Sequence, residues 1–288
     1  MNIAYLNGEK IVERNIISLY NPSFLYGISV FEGIRAYKNP LKDKVSFFDL
    51  DEHLERLYMS ALFLSFNLPL NVETLKGELL NIFEKENVQE NVYIRITFFI
   101  GEETSWSDEN NIHYLISLRS MDSQLENSQS ISLAFSTFRR ISSSAMPPSV
   151  KAGANYLNSR YALIETQKKG FDGALFISNN NHISESTGSC IFFIKNNCVF
   201  TPSTDCDILV GITRNRIIDL CVKEGLKVSE EHISPSAVYN YDAAFLAGTM
   251  IEIKPISRIE RMNYDTVNNA TFKLITNILK NYVYEMES

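Results

Sequence analysis

An anion site is the first chemistry the sequence suggests. In LVGITRNRII, Gly211 stands in a turn and a helix is expected from about Thr213. The first turn of a helix presents unpaired N–H groups and a partial positive charge, and a glycine there lets an anion such as phosphate come close. A plain helix start capped by Thr213 is the alternative. In HISESTGSCIFF, Glu185 lies where a strand gives way to a turn. It is either a solvated turn residue or a buried acid paired to a cation. In LAGTMIEIKP, Thr249 follows Gly248 between two apolar strands, as a turn residue or as a hydroxyl donor to an anion. In NVYIRITFFIG, strand alternation puts Tyr93 and Arg95 on one sheet face. A phenol beside a guanidinium suits a carboxylate-bearing ligand, and an outward, half-exposed strand face has the same pattern.

Two cations complete this set. Lys151 sits among small residues in VKAGANYLNS, where the ordinary reading of a lysine is a solvated surface charge. Arg56 follows Glu52 by four residues on an expected helix, and the ordinary reading there is an exposed ion pair.

These residues need elements to hold them. The chain has 288 residues and a formal net charge of −7. That length implies one large or two smaller domains. The negative charge argues against a nucleic-acid binder. No run of signal-peptide or membrane-spanning character is visible, so a cytoplasmic protein without a membrane partner is expected. The four cysteines, Cys190, Cys198, Cys206 and Cys221, form no C-x-x-C pair, and the four histidines are scattered. Free thiols and no metal site are expected. In the first half, LNGEKI reads as a hairpin turning at Asn7-Gly8, and KVSFFDL as a strand. A helix follows from about Leu50, with Asp49 as N-cap and Glu52 closing a capping box. VETLKGELLNIFEKEN reads as a helix, and NVYIRITFFIG and IHYLISLR as strands. SMDSQLENSQS is polar and aperiodic. Beyond it, strands are expected at ISLAFSTF, GALFIS, HISES and CIFFIK, and helices ending at Gly170 and Gly225. A last helix is expected over roughly Val267 to Met286. The division is a small α/β domain over 1–118, a linker over 119–129 and a larger, strand-rich domain over 130–288.

The strings YGISVFEGIRAY, EHLERLYMSA, YIR, KAGANYLNS, ISESTGS, VGITRNRII and AGTMIEIKPI follow one another across most of the chain. In that order they resemble the class IV aminotransferases, the fold-type IV pyridoxal-phosphate enzymes. FEGIR, KAGANYL and GITR resemble the branched-chain amino acid aminotransferases among them. The resemblance implies a mixed α/β, two-domain fold and a homodimer or higher homo-oligomer. It implies pyridoxal 5′-phosphate as cofactor, and amino acids and 2-oxo acids as substrates.

By this resemblance Lys151 bonds the cofactor covalently. Desolvation or nearby charge can make such an amine a nucleophile, and once displaced it shuttles a proton between the substrate α-carbon and the cofactor C4′. Ala152, Gly153 and Ala154 would let the cofactor approach. Glu185 would face the pyridine nitrogen and keep it protonated. Arg56, the turn at Gly211 with the Ile212 and Thr213 amides, and Thr249 would form the phosphate cup. Tyr156 would lie near the phenolic oxygen. Tyr26, Phe31, Tyr93, Arg95, Thr249 and Met250 would line the substrate pocket. In this family that pocket lies between the domains and takes residues from a dimer partner. Tyr26 and the loop around Trp106 are the candidates for that contribution.

Two departures bear on substrate. Met250 and Ile251 stand where branched-chain enzymes usually carry small residues, and Ser189 and Cys190 where those enzymes often show an acid and an amide. The expected activity is transfer of the amino group of an apolar, branched-chain-like L-amino acid to 2-oxoglutarate, by a ping-pong route. An aminodeoxychorismate lyase and a D-amino acid aminotransferase share the fold and stay open. A non-enzymatic α/β binding protein is the reading from a different class.

Overall fold

The structure is a computed structural model and describes residues 1–11, 17–39, 44–126 and 129–285. The chain divides into two compact units, one of Met1–Asp122, Val150–Ala154 and Tyr284–Ser288, the other of Ser123–Ser149 and Asn155–Val283.

The first unit begins with a hairpin, β1 (Asn2–Leu6) and β2 (Glu9–Lys10). Asn7 and Gly8 both have positive φ, 48° and 81°, as a two-residue hairpin turn requires. A short helix α1 (Pro22–Tyr26) follows, capped by the Asn21 side chain and stopped at Gly27. Next come β3 (Ser29–Asn39), β4 (Lys44–Phe47), α2 (Leu50–Phe63), α3 (Val72–Lys85), β5 (Val92–Ile100) and β6 (Ile112–Ser120). The six strands form one antiparallel sheet in the order β2-β1-β6-β5-β3-β4. Leu54, Leu57 and Ala61 of α2 and Leu75 and Leu79 of α3 bury their faces in one core with Ile34, Ile94 and Ile96 of the sheet.

The expected capping box at α2 does not form. Asp49 has φ 47° and ψ 50°, a left-handed backbone, and makes no side-chain cap bond. A capping side chain needs an extended backbone to reach the amide three residues on. Asp51 and Glu52 still place negative charge in the first turn, which the helix dipole favours.

Val150–Ala154 joins this unit although it lies far along the chain, within the stretch read as the second domain. The Phe31 amide donates to the Lys151 carbonyl at 3.0 Å, Val30 and Ala152 form an antiparallel bridge, and the Lys151 amide donates to Ser60 Oγ of α2 at 3.1 Å.

The second unit contains β7 (Ile131–Phe135), α4 (Tyr156–Lys168), β8 (Gly173–Ile177), β9 (Ile183–Ser186), β10 (Cys190–Lys195), β11 (Cys198–Pro202), α5 (Ile212–Lys223), β12 (Val228–Glu231), β13 (Ala243–Gly248), β14 (Glu252–Ile259), β15 (Met262–Asn263) and α6 (Ala270–Glu285). The strands run β12-β11-β10-β13-β14-β7-β8-β9, with β15 on β14. Parallel pairing needs a crossover: α4 lies between the parallel strands β7 and β8, and α5 between the parallel β11 and β12. Leu133, Leu175, Ile191, Phe193 and Ile256 lie at the centre of this unit's main core cluster. Gly170 and Gly225, with φ 82° and 78°, follow α4 and α5, which is the usual left-handed stop.

The last helix starts at Ala270 rather than Val267, because Thr266–Asn268 forms a 3₁₀ turn, and Met286 lies outside the described residues. Within the expected linker, residues 121–126 form no helix or strand, and 127–128 lie outside the described residues. Among the described residues no helix is long and apolar enough to cross a membrane. All four cysteines are free thiols.

Candidate functional site

In the first unit the candidates collect around β3. Its alternation sends Phe31 and Gly33 to one face, opposite Thr97 and Arg95 of β5. The Arg95 guanidinium lies 3.6 Å from the centroid of the Phe31 ring, and Lys151 Nζ lies 5.2 Å from the same centroid. Both cations meet the negative face of one aromatic ring. A Cβ on Gly33 would fall 2.2 Å from Tyr93 Oη, so the glycine is what lets Tyr93 lie across β3. Phe31, Tyr93, Arg95 and Lys151 are thus brought together. The glycine at 153 meets a need of the chain itself: a Cβ there would fall 2.7 Å from Ser29 Oγ. Tyr26 ends α1, is 57 % exposed and stands edge-on to Trp106 at 5.4 Å.

The opposite face of β3 carries Glu32, completely buried. Its Oε1 accepts from Arg56 Nε at 2.6 Å, and its Oε2 from Arg56 Nη2 at 3.0 Å and from His53 Nδ1 at 2.8 Å. Arg56 is therefore not simply an exposed partner of Glu52: its side chain is 16 % exposed and forks onto Glu32. Burial alone would raise the Glu32 carboxyl, but Arg56 beside it, His53 and the Lys151 charge hold it far below the usual carboxylate range. Burial is also the main force on His53. With Arg56 and Lys151 it outweighs Glu32 and pushes the imidazole below its ordinary value. Sequence reading missed Glu32 and His53. Both stand inside quoted strings, Glu32 in FEGIR and His53 in EHLERLYMSA, and His53 precedes Arg56 by three residues on the same helix face.

In the second unit Glu185 is the buried acid paired to a cation. It lies on β9, inside a strand, and is 4 % exposed. Arg140 donates to its Oε1 from Nε at 2.9 Å and approaches the same oxygen with Nη2 at 2.8 Å, while the Leu209 amide donates to Oε2 at 3.2 Å. Asn158, in the first turn of α4, accepts from Arg140 Nη1 at 3.2 Å. Arg140 and Asn158 were also missed: Asn158 stands in KAGANYLNS but was given no role there, and no quoted string contains Arg140. Tyr156 is the first residue of α4 and is half-buried.

The start of α5 differs from a plain capped helix. Gly211 is the N-cap, with φ −73° and ψ 134°, and no side chain caps the helix. Thr213 is inside the helix and buried, and its Oγ1 has no hydrogen-bond partner among the described residues. A Cβ at Gly211 would come within 3.0 Å of Cys190 Sγ and 3.4 Å of Arg214 Cβ. An uncapped first turn beside a buried hydroxyl that lacks a protein partner fits a phosphate. Thr249 and Met250 lie in the turn between β13 and β14; Met250 is 51 % exposed, and Ile251 packs against the main core cluster of the unit.

Among the described residues one group, Asp205, Cys206 and His232, holds three ligand atoms within 4.8 Å of one another. His232 Nε2 and Asp205 Oδ2 are already paired at 2.8 Å. Burial, with Asp205 and Asp207 adding to it, pushes the Cys206 thiol up to about 11.

Comparison with known proteins bears on the whole arrangement. The family described as amino-transferase class IV matches residues 29–259. A probable branched-chain-amino-acid aminotransferase of Aquifex aeolicus is 33 % identical, over 99 % of this chain and 92 % of the relative. The branched-chain aminotransferase of Thermoproteus uzoniensis, solved with norvaline, superposes with a TM-score of 0.91 at 28 % identity, over 99 % of this chain and 96 % of that one. The branched-chain amino acid aminotransferase of Thermobaculum terrenum, solved in its PLP form, gives a TM-score of 0.91 at 29 % identity, over 99 % and 94 %.

Proposed function

The chain belongs to the class IV aminotransferases, which use pyridoxal 5′-phosphate, and from that premise we propose that it transfers the amino group of an apolar, branched-chain-like L-amino acid to 2-oxoglutarate by a ping-pong route. The observation that carries the substrate class is the grouping of Phe31, Tyr93 and Arg95 with Lys151. An aromatic ring offers an apolar contact, and a guanidinium and a phenol are donors for a carboxylate. The relatives' names point the same way.

When bound, the cofactor supplies the electron sink for the carbanion at the substrate α-carbon. Lys151 Nζ would hold it covalently and, once released, would move the α-proton. Its main chain is pinned to β3 and α2, so the amine is delivered from a fixed backbone. Glu185 would serve the ring nitrogen and hold a proton there; an opposite charge at contact typically shifts a pKa by about 1–3 units. Arg56, Gly211, the Ile212 and Thr213 amides, the Thr213 hydroxyl and Thr249 bind the phosphate. Tyr156 serves the phenolic oxygen. Tyr26, Phe31, Tyr93, Arg95, Thr249 and Met250 bind substrate. Tyr26 and Trp106, exposed together on the first unit, support a homodimer in which this surface meets the second copy; a cytoplasmic location belongs to the same proposal.

A screen of L- and D-amino donors against 2-oxoglutarate tests the reading. Leucine, isoleucine and valine are expected to lead. Activity confined to D-donors, or release of pyruvate from aminodeoxychorismate without amino exchange, overturns it.

A further inference from the structure

Glu32 and His53 have no part in the roles above, yet both are completely buried and the carboxylate is engaged on both oxygens. The form of that engagement is informative. Arg56 offers its Nε–Nη2 edge, one bond to each oxygen. Both N–H vectors lie in the guanidinium plane, so this fork fixes the plane and directs the Nη1 end away from Glu32.

His53 must be the donor to a carboxylate, and burial with two nearby cations keeps the ring neutral. The proton is therefore on Nδ1, and Nε2 is an acceptor. That Nε2 is buried and has no hydrogen-bond partner among the described residues. A buried acceptor without a partner is a cost, so the ring is retained for its Nδ1 donor. A lysine or arginine at position 53 would compete with Arg56 for the carboxylate. A neutral donor seats the carboxylate and leaves the arginine as its main charged partner. The i, i+3 spacing on α2 sets the two side chains next to each other.

We propose that Glu32, seated by His53, is a positioning residue that aims the Arg56 guanidinium at the cofactor phosphate. This rests on the reading of Arg56 as a phosphate ligand. It assigns specificity for the phosphorylated cofactor to a carboxylate that touches neither cofactor nor substrate.

The test compares two probes on the apoprotein: pyridoxal phosphate, and pyridoxal, which lacks the phosphate. Dissociation constants are taken by absorbance titration, and folding is checked by circular dichroism. Arg56→Ala and Glu32→Gln are expected to weaken pyridoxal phosphate by roughly tenfold or more, the scale on which the outer partner of a binding group acts, and to leave pyridoxal unchanged. His53→Asn, whose side-chain amide can replace the Nδ1 donor, is expected to keep the parent's discrimination. His53→Phe is expected to behave like Glu32→Gln. If Glu32→Gln fails to fold, the two His53 variants decide between them. Equal losses for both probes in Glu32→Gln and His53→Phe, or no loss for either, overturn the inference. If Arg56→Ala discriminates and these variants do not, the inference alone falls; if Arg56→Ala does not discriminate, the phosphate reading of Arg56 falls with it.

Discussion

Among the described residues each unit buries a carboxylate against an arginine, Glu32 on Arg56 in the first and Glu185 on Arg140 in the second, and the two are held differently. Glu32 spends Oε1 on Arg56 and divides Oε2 between Arg56 and His53, with bonds of 2.6–3.0 Å. Glu185 receives Arg140 Nε and Nη2 on Oε1, and its Oε2 takes a backbone amide at 3.2 Å. Their surroundings differ in charge as well. Around Glu32 stand Arg56 and the Lys151 charge, two cations for one acid. Glu185 is paired with Arg140, and the neutral Asn158 accepts from Arg140 in turn. The first arrangement favours an arriving anion. The second is the one proposed to meet a cationic N–H such as a protonated ring nitrogen. Buried ion pairs add little net stability, and breaking one by removing a single partner is costly, so two such pairs in one chain call for separate reasons. Chemistry is the reason proposed for Glu185, and aim is the reason proposed for Glu32.

The largest effect is expected at Glu185. Glu185→Gln keeps the shape and removes the charge. Cofactor binding should largely survive while turnover falls by orders of magnitude in a steady-state assay; parent-like turnover would break the contrast with Glu32. Arg140→Met comes next. It leaves Glu185 buried beside an apolar side chain, so denaturant unfolding of the apoprotein should lose about 3–5 kcal/mol. Retained stability would show that Arg140 is not the partner Glu185 depends on.

How far the sequence foretold this contrast depends on distance along the chain. Local signals were legible. The hairpin at Asn7-Gly8, the helix Val72–Lys85 and the stops at Gly170 and Gly225 each rest on residues within one turn of the feature. Strand β3 was not recognised as a strand, because Glu32 and Arg35, both buried, interrupt its apolar run. Asp49 looked like a cap because residue type does not reveal a left-handed backbone. The candidate stations Lys151, Arg56, Glu185 and Thr213 were named by their order in the chain. Their holders were not: Arg140 meets Glu185 across 45 residues and Glu32 meets Arg56 across 24, and side-chain type alone does not pair groups so far apart. The five-residue excursion that ties Lys151 to β3 has no periodicity to reveal it.

A smaller effect sharpens the anion side of the comparison. Thr213→Val removes a buried hydroxyl that has no hydrogen-bond partner among the described residues. The apoprotein should melt at or above the parent temperature, while cofactor binding weakens by about 1.5–3 kcal/mol, the worth of a hydrogen bond to a charged group. A destabilised apoprotein with unchanged affinity would make Thr213 a purely structural residue.

The smallest effect concerns substrate. Ile251 packs against the core, so Met250, half exposed in its turn, is the cleaner position to change. Met250→Ala should alter the ratio of catalytic efficiencies for leucine, valine and bulkier donors by about 1 kcal/mol, the scale of a methylene in a pocket. An unchanged ranking would place this side chain outside substrate recognition.

Lys151 is the residue on which the proposed chemistry depends. Reduction of the cofactor-loaded protein with borohydride should fix one pyridoxal phosphate per chain, and peptide mapping should find it on the peptide containing Lys151. A label on any other lysine, with Lys151 unmodified, would contradict the account.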